Sequence, residues 1–119
     1  MAPRANLADA YLTGLNLTGV DLSRADVDEV NLDGAKMSYA NLADANLSWS
    51  FLRGSDLRGA NLSNANLTHA DLGRVWQEPT DLTGADLSNA DLSNVNLTGA
   101  NLSNANLTGA TMPDGSIHD

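Results

Sequence analysis

Cysteine is absent from the chain, so neither a disulfide nor a thiolate metal site can staple it. Aromatic residues are scarce, five in 119, and Leu, Ile, Val and Phe together number only 26, near the level at which a strongly charged chain stays disordered. Order must therefore come from how these residues are arranged. Basic residues are also few, six against fifteen acids, for a net charge of −9. This excludes a general nucleic-acid binder, which needs a basic surface to displace counterions from phosphate. No apolar run approaches a membrane span, and the opening MAPRANLADA has no continuous apolar stretch of the kind that directs secretion. The expectation is a soluble, cytoplasmic protein with no direct nucleic-acid or membrane partner. The length fits one domain over residues 1–119.

What the chain does have is a period. Steps of five from Leu7 to Met112 give 22 positions, of which 18 are Leu and the others Val27, Met37, Gln77 and Met112. Two residues before each centre the slot is small or apolar, Ala at 14 of the 22, and one residue before it is mostly Asn or Asp. Neither standard element fits a period of five. On a helix these leucines would smear around every face, and on a straight strand they would alternate between faces. A chain that runs extended for about three residues and then bends solves the problem. It points the small residue and the leucine the same way. Residues two past each centre supply the bend, with Gly14, Gly19, Gly34, Gly54, Gly59, Gly84, Gly99 and Gly109 among them and Asn or Asp at many others.

The units ADLSN, ANLSN, ANLTG and ADLTG are instances of A-[DN]-L-x-x, and the chain resembles the pentapeptide-repeat family over about residues 5–114. The resemblance implies an all-β fold, a right-handed quadrilateral β-helix with four pentapeptides per coil. The spacing of Gly14, Gly34 and Gly54 by 20 supports that count independently. About five and a half coils are expected, in unbroken register, with no inserted loop and with short uncapped tails. Uncovered coil ends expose backbone groups and apolar rungs, so an end-to-end homodimer is an expected partner state.

With the centre and the small slot facing inward, the other slots face solvent on four sides, named here by their first centres Leu7, Leu12, Leu17 and Leu22. All five aromatics then fall outside. Tyr11 and Phe51 map to the Leu12 face, Tyr39 and Trp76 to the Leu17 face, and Trp49 to the corner leading to Phe51. Lys36, Arg53, Arg58 and Arg74 share the Leu12 and Leu17 faces. The Leu7 and Leu22 faces carry Asp9, Asp21, Asp26, Asp28, Glu29, Asp44, Asp81 and Asp86 against Arg4 and Arg24. Arginine and aromatic groups are the usual anchors of protein interfaces. Tyr39, Phe51, Arg53, Arg58, Arg74 and Trp76 are therefore the candidate protein-interaction residues. One unit breaks the pattern: in VWQEP, residues 75–79, Gln77 stands in a leucine slot and Pro79 lacks a ladder N–H. A local bulge is expected there.

Nothing in the pattern suggests catalysis. His69 and His118 are isolated, no metal-ligand spacing occurs, and a convex rod offers no concave substrate site. The seven N-x-[ST] matches are a by-product of repeated NLS and NLT. No catalytic residue, cofactor or metal is assigned. The leading expectation is a non-catalytic scaffold presenting its solenoid surface to an unidentified protein. The alternative, implied by the same resemblance, is mimicry of duplex DNA toward gyrase or another topoisomerase, as an inhibitor or quinolone-resistance factor. A weaker third is that the Ser/Thr/Asn rows bind a lattice such as ice.

Overall fold

The computed structural model describes residues 4–75 and 78–119. Its backbone is a coil whose successive turns pair in parallel. Asn6 bridges Asp26, which bridges Asn46, which bridges Asn66, and the Leu12, Leu17 and Leu22 faces repeat this 20-residue step. Four five-residue units thus complete each turn, and no helix occurs among the described residues.

The unit around Leu42 shows why the sequence takes this form. Ala40 N–H donates to Met37 O at 3.1 Å, closing a turn; Asn41 N–H donates to Val20 O in the preceding coil at 2.9 Å. Leu42 and Asp44 N–H donate to Asn61 O and Ser63 O in the following coil at 2.7 and 2.9 Å. The remaining amide, Ala43 N–H, is taken by Asn41 Oδ1 at 3.1 Å. All five N–H groups are satisfied, and buried amides demand this. The Asn or Asp before each leucine is therefore structural. Its side chain supplies the acceptor that no backbone carbonyl can reach, an Asx turn repeated along the rod.

The bend needs positive φ at the residue two past the centre. Gly34 has φ +68° and Gly84 +69°, a region glycine enters freely and other residues at about 1–2 kcal/mol. Non-glycine residues are nonetheless forced into it, Glu29, Tyr39 and Trp49 among them at φ 57°, 60° and 61°. Stacking provides the compensation. Leucines from Leu22 to Leu87 lie fully buried, with Ala25, Ala45 and Ala65 beside them, and each such leucine contributes about 1.5–3 kcal/mol. The outer rungs Leu7, Leu12, Leu97, Leu102 and Leu107 are only partly buried against this core.

Two expectations are corrected. The register is not free of insertions. Asp56 pairs with Asp81, Asn61 with Asp86, Asn66 with Asp91 and Asp71 with Asn96, each 25 residues apart, before the 20-residue step resumes at Asp81–Asn101. Five extra residues therefore enter between these pairings, and Val75 and Glu78 pair antiparallel there. Thr80 seals the gap. Its hydroxyl accepts the Gly54 N–H at 3.0 Å and lies 2.9 and 3.0 Å from the carbonyls of Leu52 and Gly73, so it replaces the ladder bond the insert interrupts. Gln77, expected to burden a leucine column, lies outside the described residues. The columns run past it from Leu72 to Leu97 and from Leu57 to Leu82.

The insert also turns every later unit by one face. Asp81, expected on the acidic side, stacks on Asp56 in the Leu17 face, while Asp91 and Asp114 join the Leu7 face. The Leu7 and Leu22 faces consequently hold nine carboxylates against two guanidiniums, and the Leu12 and Leu17 faces hold four of each sign.

The second correction concerns the C-terminal tail, expected to be uncapped. It folds back so that Ile117 pairs antiparallel with Thr111. Gly109 N–H donates to His118 O at 2.8 Å and Met112 N–H to Ser116 O at 2.7 Å. This pairs one edge of the last coil and leaves Ile117 exposed.

Candidate functional site

The relief of the Leu12 face comes from an exchange of partners. Phe51 stands where most units have Asn or Asp, so Arg53 N–H has no local Asx acceptor. Asp33, one coil earlier, takes over: its Oδ1 accepts Arg53 N–H at 2.9 Å. The same carboxylate binds the guanidinium, accepting from Nε at 3.1 Å and from Nη2 at 2.5 Å. Asp33 is 8% exposed, and the hydrogen bond to it raises the Arg53 pKa above its ordinary value. Held this way, the guanidinium carbon lies 5.3 Å from the centroid of the Phe51 ring, a cation–π contact.

The insert roofs the neighbouring surface. Val75 and Glu78 cover Gly54, where a Cβ would lie 2.6 Å from Val75 Cγ1. Gly14 and Gly34, in the same corner column, have open space around them. Between overhang and glycine shelf lies an open cavity of about 360 Å³, lined by Tyr11, Thr13, Asn31, Asp33, Arg53 and Val75 with the two glycines as floor.

The Leu17 face presents a second group. Arg58 pairs with Asp56, Nη2 to Oδ2 at 2.7 Å and Nε to Oδ1 at 2.9 Å, and Asp56 Oδ1 also accepts Arg58 N–H at 3.1 Å. The guanidinium holds the Asp56 carboxyl below its ordinary range. Tyr39 is 74% exposed and its ring lies over Gly59, where a Cβ would meet Cε1 at 2.6 Å. Arg74, at the corner after Leu72, fills the space over Gly99.

Of the six residues chosen from sequence, Phe51 and Arg53 are brought together, and Tyr39 lies beside Arg58. Arg74 points to the following coil, and Trp76 lies outside the described residues. The arginines are not free anchors: Arg53 and Arg58 each hold a carboxylate of their own chain, which fixes their positions. Sequence reasoning put Tyr11 on this face without choosing it as a candidate, and missed Asp33 as a partner of this surface. The signal for Asp33 was available, since Phe51 in an Asx slot leaves an amide that another carboxylate must cap. No cluster of metal-ligating side chains occurs among the described residues.

The family model for pentapeptide repeats matches residues 4–38, 40–75 and 80–112, breaking where the insert leaves the coil. A search of curated proteins found no match to the chain. Among solved structures, the chain is similar to HetL of the cyanobacterium Nostoc sp. strain PCC 7120, a pentapeptide repeat protein involved in regulation of heterocyst differentiation, at 35% identity and TM-score 0.61 over 97% of this chain and 67% of that one. It is similar to a second Nostoc PCC 7120 pentapeptide repeat protein at 41% identity and TM-score 0.65, over 74% of this chain and 66% of that one. An Arabidopsis thaliana thylakoid-lumen pentapeptide repeat protein matches at 29% identity and TM-score 0.61, over 89% of this chain and 70% of that one. The chain spans about two thirds of the length of the Nostoc relatives. Leucine columns, Asx-capped units and these matches lead to one conclusion: the chain belongs to the pentapeptide repeat family.

Proposed function

We propose that the protein is a non-catalytic scaffold that binds a protein partner through its Leu12 and Leu17 faces. The observation that carries this reading is the cavity beneath the insert. There the one insertion between coils among the described residues overhangs Tyr11 and an Arg53 that is fixed by a buried carboxylate and lies over the Phe51 ring. A rod built of one repeated unit has no structural need of such relief. Exposed aromatic rings beside position-locked guanidiniums match the composition of interface anchors, and the two faces are charge-balanced, which avoids repelling a partner of either sign. The regulatory role of the Nostoc relative supports a binding rather than a chemical task.

The test is affinity capture from the native host with the wild-type chain, with a variant lacking residues 75–79, and with Phe51→Asn/Arg53→Ala. Deleting one whole unit restores the 20-residue step, so the rod remains intact. A partner retained by wild type and lost by both variants is the expected result. Equal recovery by all three proteins refutes the reading.

A further inference from the structure

One aromatic group lies at the corner where the Leu7 face meets the Leu12 face. Trp49 occupies the corner after Leu47, and its ring stacks on that of His69 in the next coil, centroids 4.2 Å apart and planes within 5°. That contact covers one face of the indole. On the side of the preceding coil an open groove of about 370 Å³ is lined by Glu29, Trp49 and Phe51. Trp49 remains 56% exposed and Phe51 43%. The corner column in which Trp49 sits, Asp9, Glu29, Trp49, His69 and Asn94, contains no glycine, and all five residues have φ between 57° and 63°. Asparagine and aspartate enter that region readily, whereas glutamate and tryptophan do so against their preference. Glycine or asparagine at these two corners, as at Gly19 and Asn64, would form the same bend without strain.

Charge selects the occupant. The groove lies at the corner between the Leu7 face, which carries six carboxylates and no lysine or arginine, and the Leu12 face, which carries two of each sign, so an anion is repelled. An apolar segment would bury the Glu29 carboxylate without a partner. A lysine or arginine side chain satisfies both walls, because its alkyl stem covers the ring while its charge meets the negative indole face and the carboxylate. The same interaction already exists within the chain at this corner, where Arg53 lies over Phe51.

We propose that the Glu29–Trp49–Phe51 groove seats a cationic side chain from a basic segment of a protein partner, on the open face of the Trp49 ring. This surface is separate from the cavity under the insert. The test titrates the full chain into a fluorescein-labelled peptide of alternating Lys and Ser, with a Glu/Ser peptide as control, and follows anisotropy at low and at physiological ionic strength. Trp49→Asn and Glu29→Asn use the residue that other corners carry, so neither adds backbone strain. Each is expected to weaken Lys-peptide binding about fivefold, the size of one cation–π or ion-pair contact. Tyr39→Asn, on the Leu17 face, is expected to leave it unchanged. Absence of binding by wild type overturns the proposal. So does a Trp49→Asn variant that binds as well as wild type, which assigns the attraction to diffuse charge. Equal loss in Tyr39→Asn overturns it as well, because it moves the contact to the other side of the rod.

Discussion

The Tyr39 ring lies over the Cα of Gly59 one coil away, so that a Cβ on Gly59 would come within 2.6 Å of Cε1. Gly34 has a similar φ and nothing within 4 Å of its Cβ direction. This pair separates two reasons for glycine at a corner. Gly34→Ala is expected to cost about 1–2 kcal/mol from the left-handed backbone alone. Gly59→Ala carries that cost and also lifts the tyrosine ring off the rod. In a Tyr39→Gly background, which relieves the strain at position 39, Gly59→Ala should cost the same as Gly34→Ala. Urea melts of the four variants check the equality.

Both arginine–carboxylate pairs are bidentate, yet they should differ in worth. Asp33 is buried and caps the Arg53 amide across coils, while the Asp56–Arg58 pair lies within one unit, with the Arg58 side chain 57% exposed. Asp33→Ala leaves an amide and a guanidinium without their acceptor and is expected to cost about 2 kcal/mol. Asp56→Ala also removes the acceptor of the Arg58 amide, but it is expected to cost less, about 1 kcal/mol, because water re-solvates both the exposed amide and the exposed guanidinium. Equal losses in chemical denaturation would contradict this ranking.

Acid should weaken the rod through its Asx turns. Asp21, Asp56 and Asp114 are all held below the ordinary carboxylate value of 3.8, through hydrogen bonds from Ser23, Arg58 and Ser116 respectively. A depressed folded-state pKa means the unfolded chain binds protons first. The stabilisation is therefore present above about pH 3.8 and disappears as pH falls through the lower folded values. Thermal melts should be flat near neutrality and fall on acidification below that point. Arg58→Ala should show a shallower acid decline than wild type, since Asp56 then loses its largest perturbing partner.

The columns of leucine and alanine, the glycine corners and the four-unit turn were legible because each repeats an inward or bending requirement many times. The insert was not, for a simple reason: its length equals the period. Removing five residues from the coil leaves every leucine in phase modulo five, and only the pairing between coils reveals the shift that moves Asp81 from one side of the rod to another. Gln77 and Pro79 marked the place without giving the consequence. The Asp33 clamp left one trace, Phe51 in an Asx slot, but which carboxylate caps the freed amide follows only from a contact across 20 residues, after the coils are stacked. The tail was misread because its pairing depends on a turn at Asp114–Gly115, which follows no repeat; there Ser116 N–H and hydroxyl both reach Asp114 Oδ1.

Thr80 should be the residue on which the insert depends. Its hydroxyl, just after the insert, joins Gly54 N–H to the carbonyls of Leu52 and Gly73 that precede it. Thr80→Val keeps the volume and leaves the half-buried Gly54 amide without its acceptor, an expected loss of about 1–2 kcal/mol. Hydrogen exchange at Gly54 should accelerate more than at Gly34, whose amide keeps its bond to Arg53 O at 2.9 Å. Deleting residues 75–79 as well should abolish most of that loss. Arg74 can then adopt the positive φ that Arg24 already shows at 58°, Thr80 enters the small slot of an ordinary unit, and Gly54 N–H recovers Gly73 O as its ladder partner. The deletion alone should melt at or above the wild-type temperature, because the coil loses a loop and no leucine rung. A large destabilisation would mean that the insert holds the coils together, and its role as an appendage for binding would have to be abandoned.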